Sequence, residues 1–326
     1  MIGGSAQNIT YLRLSVTDRC DLRCAYCMPE RMEFLPRSDV LSLDELDRLA
    51  SLFIGMGIRK LRLTGGEPLV RKGFVGLVEK LSRHLASGAL DEMVITTNGT
   101  RLAEHAEGLA RHGIKRINVS IDSLNPATYA RITRGGDVTK VIAAVDAAIA
   151  AGIAVKINTV ALAQDNLGEV VGLADWAHQR GAAISFIEVM PLGDVEAERI
   201  NQHVPMSEVR RRLAEKWALT PLALNTGGPA RYVRTEAGGT IGFITPLSDN
   251  FCGSCNRVRV TCTGQLYLCL GHDAKTDLRG LLRSGDEDAL RARIAGAMRH
   301  KPLSHDFRIA PSVVQGIERH MSVTGG

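Results

Sequence analysis

The 326 residues are 45% hydrophobic and 23% charged, an ordinary globular composition long enough for one large domain or a domain with an extension. The net charge is +5, with 11 Lys/Arg against 7 Asp/Glu between Cys252 and Gly326; this balance suits an anionic small molecule and is too mild for nucleic acid. There is no run of about 18 apolar residues, and the opening MIGGSAQNITYLRLS lacks the basic-then-apolar pattern of a secretory signal; no membrane span is expected, and the cytoplasm is the expected location.

Apolar, β-branched stretches predict strands at Tyr11–Val16, Ile58–Leu63, Met93–Thr97, Ile117–Ile121, Val155–Val160 and Ile184–Val189. Helical patterns fall between them at Leu43–Gly55, Lys72–Ala86, Ala103–Arg111, Thr139–Ala150 and Glu169–Arg180. Ser42 with Glu45 reads as a capping box, and Gly113, Gly152 and Gly181 each follow a helix where a left-handed residue ends it. Six strand–helix units with short loops imply parallel strands with helices outside, as an open doubly wound sheet or a partial (βα)6 barrel. After about Leu219 the rhythm gives way to Gly/Pro-rich turns, short β-like pieces and helices near Leu278–Arg283 and Asp288–Met298. The expectation is a TIM-like partial barrel over residues 1–219 and an α+β extension over 220–326 that closes it. The chemistry-bearing residues of the first part gather toward the C-terminal ends of strands, the face on which barrel enzymes build their sites.

All seven cysteines lie in two groups, Cys20, Cys24 and Cys27 near the start and Cys252, Cys255, Cys262 and Cys269 near the end. Clustering of this kind favours metal ligation over disulfides in a cytosolic chain. Cys20-x-x-x-Cys24-x-x-Cys27 offers three thiolates on one short loop, which leaves one iron of a four-iron cluster without a protein ligand. Structural zinc is the alternative, although it normally needs four ligands and C-x₂-C pairing. The later group contains such a C-x₂-C pair, so a Cys₄ zinc ribbon remains open there.

CxxxCxxC with Tyr26 before its last cysteine, followed by Gly65-Gly66-Glu67-Pro68, resembles the radical S-adenosylmethionine superfamily. The resemblance implies a [4Fe–4S] cluster on Cys20, Cys24 and Cys27 whose open iron chelates S-adenosylmethionine, the source of a 5′-deoxyadenosyl radical. It places Tyr26, Gly66, Ser120 and Met190 against that cofactor, and Thr96 near the substrate. Phe251-Cys-Gly-Ser-Cys-Asn-Arg-Val-Arg-Val-Thr, Gly264-Gln-Leu-Tyr-Leu-Cys-Leu270, the opening Tyr11-Leu-Arg-Leu-Ser-Val-Thr-Asp-Arg-Cys20 and the terminal glycines resemble the GTP 3′,8-cyclase family of molybdenum cofactor biosynthesis. By that resemblance a second [4Fe–4S] cluster sits on Cys252, Cys255 and Cys269 and binds the guanine of GTP, while Cys262 falls outside the pattern.

The same resemblance assigns GTP to Arg13, Arg62, Thr96, Lys156, Arg257 and Arg259, and catalytic roles to Arg257, Arg259, Gly325 and Gly326. Independently of it, Arg257 and Arg259 fall on one face of an extended strand, and guanidinium forks suit phosphate oxygens. Arg13, Arg62 and Lys156 interrupt apolar strands, where a charge is costly without a partner. The implied reaction abstracts the ribose 3′-hydrogen of GTP and joins C3′ to guanine C8, giving 3′,8-cyclo-7,8-dihydro-GTP. The implied partners are an electron donor such as flavodoxin, the downstream cyclic pyranopterin monophosphate synthase and a second copy in a homodimer, with no nucleic acid and no membrane. A radical enzyme with an auxiliary cluster acting on a peptide is the rival reading, and it would need no phosphate cradle.

Overall fold

A computed structural model describes residues 8–193, 201–224, 226–248, 252–305, 307–310, 313–315, 317 and 319–324. Six strands, β1 (Tyr11–Ser15), β2 (Lys60–Thr64), β3 (Glu92–Thr97), β4 (Arg116–Ser120), β5 (Ala154–Ala161) and β6 (Ala183–Glu188), run parallel and pair in chain order. Helices α1 (Leu43–Gly55), α2 (Phe74–Ala86), α3 (Leu102–Arg111), α4 (Pro126–Thr133), α5 (Val138–Ala150), α6 (Val170–Gln179) and α7 (Met206–Ala214) fill the connections. This is the partial barrel expected from the strand–helix rhythm, and α1 begins at Ser42 with both hydrogen bonds of its capping box in place. Gly113, Gly152 and Gly181 have φ of 84°, 80° and 67°, as their helix-ending positions require. Helix α4 was not expected, although Asn125 caps it through Ala127 N and Thr128 N and Pro126 opens it.

The remainder of the chain extends the sheet at both flanks. Strands β7 (Leu219–Leu222), β8 (Arg231–Thr235) and β9 (Thr240–Ile244) join beside β6, with β9 parallel to it. Strands β10 (Arg257–Val260), β11 (Gln265–Tyr267) and β12 (Lys275–Asp277) join beside β1, with β10 parallel to it. The result is one sheet of twelve strands, β12 and β7 at its edges, which stays open. The extension therefore does not close the barrel as expected: it adds strands to both flanks, from which Thr226 and Tyr232 on one side and Arg257 and Arg259 on the other line one cavity. Helices α8 (Arg279–Ser284) and α9 (Glu287–Met298), the hairpin β13 (Arg308–Ala310) with β14 (Val313–Gln315), and α10 (Met321–Thr324) complete the described chain.

Alternation along the strands separates two environments. Leu12, Leu14, Leu61, Leu63, Met93, Ile95, Ile117, Val119, Ile157, Ile184 and Phe186 face outward into a single apolar core shared with the helices. Among the intervening positions, Arg13, Arg62, Asn118, Lys156 and Asn158 line one cavity.

Candidate active site: two thiol triads and a cationic lumen

The first triad stands beyond the C-terminal end of β1. Its loop is pinned by the Gly65–Pro68 turn, where Gly66 N donates to Thr17 O at 2.8 Å and Glu67 N to Arg19 O at 2.8 Å. A Cβ on Gly66 would lie 2.3 Å from Arg19 O, so only glycine permits this approach. Glu67 is fully buried and ties the same turn to the end of β3, accepting from Leu69 N (2.9 Å), Thr97 Oγ1 (2.8 Å) and Asn98 N (2.6 Å). Burial pushes its carboxyl up to about 7 against those three donors. Tyr26 donates to Asp122 Oδ2 at 2.7 Å, and Asp122 also accepts from Val160 N at 2.8 Å. Burial raises Asp122 to about 6. Around the thiols the charges are negative: burial, with Glu67 and Asp21 adding to it, pushes Cys20 up to about 12, and burial, Cys27 and Asp122 raise Cys24 well above its ordinary value.

The second triad enters from the other end. Because β10 runs parallel to β1 with Tyr11 opposite Arg257, Cys252 and Cys255 precede the N-terminal edge of the sheet. Cys269 follows antiparallel β11 back to that same edge. The length of a five-residue strand, roughly 15 Å, thus lies between the two triads. The sequence expectation that the site residues of the first part gather toward the C-terminal strand ends holds for the first triad, the Gly65–Pro68 turn, Thr96, Ser120 and Met190, whereas the second triad lies at the opposite edge. Backbone N–H groups of His305, Arg257 and Gly271 reach the sulfurs of Cys252, Cys255 and Cys269 respectively. Burial works against Cys255, but Arg257, Lys301 and Arg259 outweigh it and bring its thiol below the ordinary value. Cys252 and Cys269 stay raised by burial, with Lys301 opposing at both.

Between the triads lies a cavity with an empty volume of about 1130 Å³. Cys252, Cys255 and Cys269 line it together with Arg13, Arg62, Lys156, Arg257 and Arg259, and Met190 also reaches it; no first-triad cysteine does. Arg259, Arg13 and Arg62 sit side by side in register across β10, β1 and β2, and Thr96, Asn118 and Lys156 across β3, β4 and β5. Arg62 donates to Tyr11 Oη (2.5 Å) and Thr96 Oγ1 (2.7 Å), which links Thr96 to the arginine row although Thr96 itself is not among the lining residues. Lys156 donates to Tyr232 Oη at 2.8 Å.

No aspartate or glutamate among the described residues lines the cavity. The crowding of cations shows in their proton affinities. Burial, with Arg62, Arg116 and Lys60, lowers Lys156 to about 7; burial and Arg257 lower Arg259 to about 10; burial, Arg259 and Arg62 hold Arg13 well below its usual value. Burial raises the Tyr11 phenol, yet Arg62, Arg13, Lys60 and Arg257 bring it down to about 8. A site in this state is short of negative charge and is suited to a multiply charged anion.

The tail reaches the same lumen. Ile317 bridges to Leu192, Met321 lines the cavity, and Arg259 Nη1 donates to the carbonyl of buried Thr324 at 3.5 Å. Gly325 and Gly326 lie outside the described residues, as does Phe251. Ser120 ends β4 opposite Asn158, and Cys262 is buried away from both triads with its carbonyl accepting from Leu41 N. Among the described residues no group of three His, Cys, Asp or Glu side chains is gathered as a single metal ion needs.

Residues 14–177 match the model of the Radical SAM superfamily, and residues 182–307 match that of Molybdenum Cofactor Synthesis C. A GTP 3′,8-cyclase of Caulobacter vibrioides is 59% identical over all of this chain and 94% of its own length; one of Nitrobacter winogradskyi is 56% identical over all of this chain and 96% of its own. The chain belongs to the GTP 3′,8-cyclase family of radical SAM enzymes. Streptococcus suis SuiB bound to S-adenosylmethionine superposes with a TM-score of 0.64 over 90% of this chain and 68% of its own, at 15% identity, and so shares the fold.

Within this cyclase framework several residues carried no sequence signal. Tyr232 and Lys301 belong to no motif and reach the site only through tertiary packing. Asn118 and Asn158 are different: their inward register follows from strand alternation, and their buried Oδ1 atoms lack a hydrogen-bond partner.

Proposed function

We propose that this chain converts GTP to 3′,8-cyclo-7,8-dihydro-GTP, the reaction named for its relatives, with Arg13, Arg62, Lys156, Arg257 and Arg259 holding the triphosphate and Thr96 positioned beside them. The single observation that carries the substrate is the lumen lined by these five cations and Arg116, with no described carboxylate. Cys20, Cys24 and Cys27 would hold one [4Fe–4S] cluster, and Cys252, Cys255 and Cys269 the other, each with three thiolates and one iron left open. When bound, the first cluster and S-adenosylmethionine supply the hydrogen-abstracting 5′-deoxyadenosyl radical, and the second supplies an iron to the substrate's base.

The chain's own contribution is placement. Tyr26, Gly66, Ser120 and Met190 are assigned to S-adenosylmethionine; the close fit of Gly66 on Arg19 O keeps that turn against the first triad. Arg62 is held by Tyr11 and Thr96, and Lys156 by Tyr232, so both cations are oriented before the anion arrives. Each charged hydrogen bond to phosphate is worth about 1.5–3 kcal/mol. Asn118 and Asn158 offer amide oxygens to sugar hydroxyls deeper in the lumen. Gly325 and Gly326 are assigned to the site on the family resemblance; Arg259 donates to the carbonyl of Thr324, the residue before them. The rival peptide-modifying reading leaves five converging cations without a use.

The division at about residue 219 is kept as the boundary between the barrel core and the extension. The proposed setting is the cytoplasm, in keeping with the absence of a helix long and apolar enough to cross a membrane among the described residues. A flavodoxin-like electron donor, transfer of product to cyclic pyranopterin monophosphate synthase and a homodimer complete the proposal. Anaerobic reconstitution with GTP, S-adenosylmethionine and a strong reductant tests it: the cyclised nucleotide and 5′-deoxyadenosine should appear together. S-adenosylmethionine cleavage that proceeds without any change to GTP would refute it.

A further inference from the structure

Lys301 follows α9 and is 5% exposed, yet no carboxylate pairs with it among the described residues. Its ammonium donates to Arg257 O at 3.0 Å and to Leu268 O at 2.6 Å. Arg257 lies two residues after Cys255, and Leu268 immediately precedes Cys269. One side chain therefore ties together the two chain segments that deliver these cysteines. A buried ammonium has three donors and a charge that is expensive without compensation. Two donors go to carbonyls; what remains is the charge, and it bears on Cys252, Cys255 and Cys269 alike. Arg257 and Arg259, by contrast, line the lumen.

We propose that Lys301 is a positioning residue of the second cluster: it fixes the β10 and β11 arms at ligand spacing and supplies the buried positive charge that offsets three thiolates, so that the cluster accepts an electron at a higher potential than it would without it. The inference rests on the second triad being a cluster site. One-electron reduction adds a negative charge to the cluster, and a fixed cation beside it stabilises the reduced form more than the oxidised one. Burial keeps that effect from being screened by salt.

The test uses the full chain, reconstituted anaerobically, carrying Lys301→Gln or Lys301→Arg. Iron per chain, circular dichroism and a dithionite redox titration followed by electron paramagnetic resonance are the measurements. The second-cluster signal is assigned in a parallel Cys20→Ser/Cys24→Ser/Cys27→Ser chain. The expected result for Lys301→Gln is either a more negative second-cluster potential at about eight irons, or loss of about four irons with the fold and first cluster intact. Lys301→Arg should stay near the unsubstituted protein in both. An unchanged potential at full iron in Lys301→Gln overturns the proposal. So does loss of the fold or of both clusters, which makes Lys301 a general packing residue, or an arginine variant that behaves like the glutamine one. An unsubstituted chain that binds only about four irons refutes the second cluster itself and is thereby distinguishable from failure of the Lys301 role.

Discussion

The two thiol triads are chemically alike and electrostatically opposite. Around Cys20, Cys24 and Cys27 stand Asp21, Glu67 and Asp122; around Cys252, Cys255 and Cys269 stand Arg257, Arg259 and Lys301. The ligand chemistry accounts for the difference. S-adenosylmethionine carries a sulfonium and an ammonium, so its end of the barrel gains from nearby carboxylates. A nucleoside triphosphate needs the reverse. Under the proposed function the cationic cofactor belongs at the C-terminal strand ends and the anionic substrate among the lumen cations, with the register of β1 against β10 separating the two triads.

The largest expected effect breaks the triads one at a time. Cys24→Ser should remove about half of the iron and abolish S-adenosylmethionine cleavage, whereas Cys252→Ser should remove the other half and abolish GTP conversion while cleavage of S-adenosylmethionine persists. Iron analysis and product quantification check both, and equal loss of cleavage in the two variants would mean that the ends are not independent. Next in size is the arginine row. Arg259→Ala should weaken GTP binding by about 1.5–3 kcal/mol, roughly 10- to 150-fold by calorimetry, and leave S-adenosylmethionine binding unchanged.

The smallest effect is a pH slope. Lys156 titrates at about 7 because burial, Arg62, Arg116 and Lys60 disfavour its charge, with Glu92 already committed to Lys60 and Arg116. Contact with phosphate raises that value. The affinity contributed by this charge is therefore complete below pH 7 and declines above it, by up to about tenfold per unit, until the pH passes the value in the complex. Lys156→Arg should flatten the limb between pH 7 and 8, since a guanidinium stays charged. Any remaining slope above 8 belongs to Tyr11, whose phenol titrates at about 8. A slope unchanged in the Lys156→Arg protein would assign the titration elsewhere.

Most of the barrel was legible because its signals are local. Alternating Leu12-Arg13-Leu14 and Leu61-Arg62-Leu63 announced both a strand and a lumen-facing charge, and Ser42 with Glu45 fixed the start of α1. Helix α4 was missed despite the Asn125-Pro126 signature, because a longer apolar pattern at Thr139–Ala150 already filled that connection. The opposed ends of the two triads were not legible at all. They depend on β10 adding parallel to β1, a pairing between residues 246 positions apart that no local pattern encodes. Lys301 escaped for the same reason: an Arg-His-Lys-Pro stretch looks like solvent-exposed chain until tertiary packing encloses it.

That long-range pairing also imposes a timetable on biosynthesis. The loop bearing Cys20, Cys24 and Cys27 leaves the ribosome early, but the strand that carries the other arm beside β1 emerges 246 residues later, roughly 12–50 s at ordinary translation rates. Until then one flank of β1 has no neighbour, and the nascent barrel exposes an unpaired edge. Docking of the late strand protects that edge and at the same stroke brings Cys252 and Cys255 to the N-terminal side of the sheet.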